Sequence, residues 1–384
     1  MLTTARTRFA ASARRAAPAV AVYLGLRVIS GLVFLLIIRH HRNLPLGRML
    51  TLWDADLYRL VATYGYGGDG RFQLQAAHGG AYAFFPLYPG LMRALSVLPG
   101  LTVVRAGVLI SLLASMATVW GGYEVARRLC DDAGRPGIVL AGMWALVPAS
   151  VIQGLVYADA LFIALAVWAL YAAARSWWLT SAVLCVLAGL TRPTGFVLIV
   201  AVCVTALISA RRRGGGWRAW TAACVAPVGA AAYVLAVGIA LGSPTGYFRM
   251  QRHRWLNYMD GGATTWHSVA DVLYGRGNGV ALVYVIAMFV VLAAPVLVYA
   301  QLRDRQPLPY VVFGAGIVFM GLASARFFAT TPRELMPALP FLLLPVAGAL
   351  SRAGRGTVVM AFLVLAFAAG WYAWFVPLYT GFAP

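Results

Sequence analysis

Long apolar runs alternate with short basic ones along almost the whole chain. The apolar runs fall at about 17–38, 101–126, 136–152, 156–174, 179–191, 194–210, 219–241, 279–300, 308–325, 335–350 and 356–376. Several approach the roughly 20 residues that a helix needs to cross a bilayer. In lipid every backbone polar group must be satisfied within its own segment, so these runs predict helices and not open sheet. The expected fold class is an all-α polytopic membrane protein of about 11 transmembrane helices, forming a single domain over 1–384. The runs at 179–191 and 194–210 are short, with Thr191-Arg192-Pro193-Thr194-Gly195 between them, and need not cross fully.

Arginines cluster between the runs, at 6–15, 127–135, 175, 211–218, 303–305 and 352–355. With the first cluster in the cytoplasm, counting crossings returns every other cluster there too, as the positive-inside bias requires. The expectation is a multi-pass protein of the cell membrane, with the N-terminus cytoplasmic and the C-terminus outside. Two long loops then face outward, 39–100 and 242–278. The run from Ala17 to Ile38 is too long for a signal-peptide core, and no small-residue cleavage site follows it, so it is read as a retained first span.

Composition agrees, with 62% hydrophobic residues and a mean hydropathy of +0.80. The net charge of +20, from 31 basic residues against 11 acids, looks at first like a nucleic-acid signal. Its placement at the ends of spans assigns it to topology instead, so no nucleic-acid partner is expected. The four cysteines (Cys130, Cys185, Cys203, Cys224) have no metal-ligand spacing and no disulfide framework. No metal and no cofactor are expected.

The first outer loop is patterned. In "TLWDADLYRLVATYGYGG", 51–68, the residues Leu57, Leu60, Val61 and Tyr64 recur at helical spacing, which predicts a short helix lying in the interface. "AYAFFPLYPGLMRALSVLPG", 81–100, predicts a second. The loop thus reads as a platform of two juxtamembrane helices.

Few acids are available for chemistry. Asp54 and Asp56 do not share a helix face. Asp54 falls on the side of Leu57 and Tyr58, toward the membrane or a cavity, and Asp56 falls toward water. Asp54 is either an N-cap or a reactive acid; a capping box would want Glu or Gln where Leu57 stands. Asp159, in "QGLVYADALFIAL", is an acid at the outer end of a span, a functional candidate by depth or a partner for a nearby arginine. Arg192 in "LTRPTGF" either binds a phosphate through its planar fork or neutralises an acid. Arg326 and Arg333 stand at another outer end, in "ASARFFATTPRELMPALP". Glu334 opens a helix there, a position that suits dipole stabilisation. The second outer loop gathers Arg249, Arg252, His253 and Arg254 with Tyr247, Phe248 and Trp255, and His267 follows. Positive charge outside runs against the topological bias, and anionic headgroups or a lipid phosphate are its natural partners.

Taken in order, "WDADLYRLVATYGY", "AFFPLYPGLMRAL", "YADALFIALAVWALYAA", "LAGLTRPTGF", "YFRMQRHRW" and "TPRELMPALPFLLL" resemble the PIG-V-type mannosyltransferases of the GT-C glycosyltransferase superfamily. The likeness runs from about residue 50 to 345. It implies the GT-C membrane fold and transfer of mannose from a polyprenyl-phosphate-mannose donor to a lipid or glycan acceptor on the outer face. The family pattern is WD followed by variable residues and a Tyr, so Asp54 falls on the shared acid and Asp56 on a variable position. The resemblance implies Asp54 as general base in a single inverting displacement. Arg192, Arg333, Arg326, Asp159, Tyr58, Arg252, Trp255 and His267 are the expected substrate-binding residues, with Arg192 or Arg333 on the leaving phosphate. A GT-C transferase for another sugar, a secondary transporter and a non-catalytic GT-C scaffold are the competing readings. The scaffold reading requires Asp54 locked in a salt bridge with no cavity beside it.

Overall fold

The computed structural model describes residues 2–40, 50–67, 77–130, 134–212 and 216–379; segments 41–49 and 68–76 of the first outer loop lie outside the described residues. The first half of the chain forms α1 (Leu2–His40), α2 (Asp54–Tyr64), α3 (Leu87–Leu95), α4 (Val103–Leu129), α5 (Arg135–Leu146), α6 (Ala158–Ala174), α7 (Trp178–Gly189) and α8 (Gly195–Arg212). The second half forms α9 (Trp217–Val225), α10 (Val228–Ala240), α11 (Gly246–Trp255), α12 (Ala263–Leu273), α13 (Leu282–Arg303) and α14 (Leu308–Ala323). It ends with α15 (Thr331–Leu335), α16 (Leu339–Leu342), α17 (Leu344–Leu350) and α18 (Arg355–Tyr379). Among the described residues, six stretches are long and apolar enough to cross a bilayer: Phe9–His40, Val103–Leu129, Gly195–Arg212, Trp217–Ala240, Leu282–Arg303 and Arg355–Val376. The helices α6, α7 and α14 are shorter apolar ones.

Two runs depart from straight spans, and proline explains both. The run expected at 136–152 gives only the 12 residues of α5, about 18 Å at 1.5 Å per residue. Val147 precedes Pro148 and turns to extended backbone, ψ 149°, because the proline ring excludes the helical region for the residue before it. The run expected at 335–350 contains Pro337, Pro340 and Pro345, each of which removes a helical N–H donor. It bends by 60° between Phe328–Leu342 and Leu344–Leu350.

The centre of the bundle is α6, whose apolar side chains are buried on nearly every face, as a helix hydrophobic all round must be. It packs against α4 on one side and α7 on the other. Both helices predicted in the first outer loop are present and dock on this core. Tyr58 of α2 is buried and meets Phe84 and Tyr88 edge-on, at 4.9 and 5.1 Å between ring centres. The Tyr88 hydroxyl donates to the Gly107 carbonyl of α4 at 3.0 Å and shares a hydrogen bond with Ser111 at 2.9 Å. Gly107 permits this approach, since a Cβ there would lie 2.7 Å from Val156.

The second outer loop is tied down differently. β1 (Tyr258–Met259) pairs antiparallel with β2 (Ser324–Ala325), Tyr258 opposite Ala325 and Met259 opposite Ser324. This short ladder brings the residues after α14, including Arg326, alongside those after α11. Asp260 accepts from the backbone N–H of Gly262 at 2.9 Å and of Thr264 at 2.8 Å, capping the entry to α12.

Candidate active site

A cavity of about 1460 Å³ opens where both outer loops meet the ends of α8 and α14. Its walls include Trp53, Asp54, Asp56 and Tyr58 from the first loop, and Arg192 from the turn after α7. Arg252, Trp255 and Tyr258 come from the second loop, Arg326 from the turn after β2, and Arg333 and Glu334 from α15. Aromatic faces and charged groups thus share one space, a lining suited to an amphiphilic ligand.

The local backbone aims Asp54 into this space. The residue at the N-cap of α2 is Trp53, with φ 54° and ψ −125°, and it makes no capping bond. A bulky residue at positive φ is strained by about 1–3 kcal/mol and persists only where its surroundings impose it. Asp54 is therefore the first residue of the helix and not its cap. Its Oδ2 lies 2.7 Å from Arg333 Nη1. Asp56 also borders the cavity, although its helix position predicts that it faces water; it is a third exposed and is held by Arg59 at 2.6 Å.

Behind this wall lies Asp159, fully buried in the first turn of α6. Its Oδ1 accepts from Arg192 Nη1 and, at 3.2 Å, from Arg333 Nε; its Oδ2 accepts from Arg333 Nη2 at 3.2 Å. Arg192 then reaches forward with Nη2 to Glu334 Oε1 at 3.1 Å. The Arg333 guanidinium also lies over the Tyr157 ring, 4.6 Å from its centre. Three carboxylates and two guanidinia form one connected chain, Asp54–Arg333–Asp159–Arg192–Glu334.

Arg326 stands apart from that chain. Its Nε and Nη2 are buried without a hydrogen-bond partner among the described residues. Burial pushes its pKa below the ordinary arginine value, opposed by the negative charges of Glu334 and Asp260. A desolvated cation on a cavity wall is a site for an anion.

The structure gathers Asp54, Tyr58, Arg192, Arg252, Trp255, Arg326 and Arg333 around one cavity. It does not bring Asp159 or His267 to the cavity surface. Asp159 is sealed behind its two arginines. His267 is exposed on α12, because Gly261 and Gly262, at φ 70° and 91°, turn the chain away after β1. Arg252 lies over the Tyr258 ring at 4.9 Å, and Trp255 Nε1 donates to the Gly80 carbonyl at 3.2 Å, which fixes its ring at the rim. Glu334 was not expected here; a helix-opening acid reads as dipole compensation, yet its side chain faces Arg192 across 142 positions of sequence. Among the described residues no three His, Cys, Asp or Glu side chains form a metal-binding group.

No family model matches the chain, and no curated protein matches it. Among solved structures it is similar to ArnT from Cupriavidus metallidurans. With the crystal structure bound to undecaprenyl phosphate the TM-score is 0.51 at 17% identity, over 80% of this chain and 58% of that one. With the apo crystal structure the TM-score is 0.50 at 16% identity, over 80% of this chain and 56% of that one. The chain therefore spans less than two thirds of the length of ArnT. At these identities the likeness concerns the fold, and that fold is the GT-C membrane fold which the order of motifs implies.

Proposed function

We propose that this chain is a membrane glycosyltransferase that moves a sugar from a polyprenyl-phosphate donor to an acceptor hydroxyl at the outer face of the cell membrane. One observation carries the reading. Asp54 and Arg326, whose Nε and Nη2 have no partner among the described residues, share a cavity large enough for a glycolipid, the acid held at 2.7 Å by Arg333. A polyprenyl-phosphate carrier is further supported by ArnT, which was crystallised with undecaprenyl phosphate. Mannose is the sugar we favour, on the ordered likeness to the PIG-V-type enzymes. The acceptor is a lipid or a glycan. The N-terminus lies in the cytoplasm, on the arginine clusters.

The reaction needs one base and one anion holder. Asp54 takes the proton of the acceptor hydroxyl as that oxygen bonds to the anomeric carbon. The bond from the anomeric carbon to the phosphate oxygen breaks, and the lipid phosphate leaves with the electron pair. Attack from the opposite face inverts the anomeric configuration. Negative charge grows on the phosphate in the transition state, where a preorganised cation stabilises it most. Arg192 and Arg333 already hold carboxylates, so we assign the leaving phosphate to Arg326. A phosphate leaves without protonation, and one reactive carboxylate suffices, unlike the pair of a glycosidase.

The ion pair on Asp54 meets one condition of the scaffold reading, but the open cavity beside it does not meet the other. The test is incubation of membranes holding the protein with radiolabelled polyprenyl-phosphate-mannose, followed by mass spectrometry of the product. A glycosylated product is expected. Uptake of free sugar into proteoliposomes without any such product would favour a transporter.

A further inference from the structure

The buried carboxylate of Asp159 touches no cavity, yet it touches both arginines that hold the cavity's carboxylates. Arg333 presents the Nε–Nη2 edge of its fork to Asp159, with two hydrogen bonds of 3.2 Å. Two bonds to one edge of a planar group fix its orientation as well as its position. The remaining nitrogen, Nη1, then has one direction to point, and Asp54 lies there at 2.7 Å. Tyr157, two residues before Asp159, lies against the face of the same guanidinium. On the other side Arg192 joins Asp159 to Glu334. One buried acid therefore stands at the fork of two arms, each ending in a carboxylate on the cavity wall.

Stability does not account for this arrangement. A buried ion cluster gives up solvation that its mutual attraction barely returns, and well-packed apolar side chains commonly do as well. The surroundings would suit them, since α6 is otherwise apolar. What the charges supply is fixed geometry. Arg333 hangs on a flexible stem, and without a hold from behind its guanidinium would not keep one direction toward Asp54.

We propose that Asp159 is a positioning residue. Through Arg333 it fixes the carboxylate of Asp54 in the line of the acceptor hydroxyl. The proposal rests on the reading of Asp54 as the base. It differs from a substrate-binding role for Asp159, which would require contact with the cavity.

The test uses the full-length protein in native membranes and measures transfer from radiolabelled polyprenyl-phosphate-mannose. Binding of polyprenyl phosphate and the melting temperature are measured in parallel. Asp159→Asn is expected to lower kcat by about 10- to 100-fold, the order expected when a reacting group is misplaced by about 1 Å. KM for the donor and affinity for polyprenyl phosphate should stay within about 3-fold, because Asp159 does not reach the cavity. Arg333→Gln should lower kcat similarly, and the double variant should be no worse than the poorer single one, since both remove one chain of contacts. Losses that multiply, or a loss of donor affinity equal to the loss of turnover, would overturn the proposal. If Asp159→Asn does not fold, Asp159→Glu carries the test. It keeps the charge but pushes Arg333 forward, and it should lose at least about 5-fold in kcat at an unchanged melting temperature; wild-type transfer would overturn the proposal. Asp54→Asn separates the two levels. Wild-type transfer by Asp54→Asn removes the general-base reading itself. An inactive Asp54→Asn beside a wild-type Asp159→Asn removes only the positioning role.

Discussion

Arg326 and Asp56 test the assignment of roles within the cavity. Arg326 has two buried donors without partners among the described residues, and Asp56 has a partner on its own helix, Arg59 at 2.6 Å. Arg326→Ala should therefore weaken donor binding and turnover together, by about 10- to 100-fold, as loss of a charge-assisted bond worth about 1.5–3 kcal/mol requires. Arg326→Lys should recover little, since Lys is a point charge and not a fork. Kinetics in donor concentration decide this, and an Ala variant with wild-type constants would place the phosphate elsewhere. Asp56→Asn should change transfer by less than about 3-fold. The sequence singled out Asp54 by "WD" and helix periodicity, and the structure places both Asp54 and Asp56 on the cavity wall. The ion-pair chain was not legible. Its directly paired members are separated by up to 279 positions, Asp54 to Arg333, and sequence spacing says nothing of contacts between helices. The open alternatives at Asp159, functional acid or partner of an arginine, and at Arg192, phosphate or acid, were the signals that pointed there.

At the scale of elements, proline and glycine decide where the helices stop and how closely they approach. Apolar runs located every long helix, because burial in lipid demands them. They overran at 136–152 and 335–350, where a hydropathy pattern cannot register the donors that Pro148, Pro337, Pro340 and Pro345 remove. These same interruptions serve the site. The break after α5 returns the chain to Tyr157 and Asp159, and the irregular turns before the bent helix present Arg333 and Glu334. Close packing of the first loop depends on Gly107, where a Cβ would meet Val156 at 2.7 Å. Gly107→Ala should push the Val156–Tyr157 segment away from Tyr88. We expect a loss of about 1–3 kcal/mol, the usual result of overpacking, seen as a lowered melting temperature with reduced transfer. An unchanged melting temperature would show that α4 yields without strain.

For the whole molecule, the orientation in the membrane that we propose rests on the arginines. The ends of α4, α8 and α13 carry Arg127 and Arg128, Arg211 and Arg212, and Arg303, which the positive-inside bias would place in the cytoplasm. The cavity lies at the opposite ends of these helices, with both long loops. His267 is exposed on α12 and clear of the cavity. In a cysteine-free background, His267→Cys should react with a membrane-impermeant maleimide in intact cells. Reaction only after the membrane is opened would reverse the orientation and put the cavity on the cytoplasmic side.

The most direct test of the central claim compares the wild-type protein with Asp54→Asn in mannose transfer from polyprenyl-phosphate-mannose to the native acceptor. Asn keeps the size of the side chain and removes only the base. The account predicts a stable Asp54→Asn protein that still binds polyprenyl phosphate and loses transfer by about 10²–10⁴-fold, the range for removal of a general base. A stable Asp54→Asn protein that transfers at the wild-type rate would contradict it.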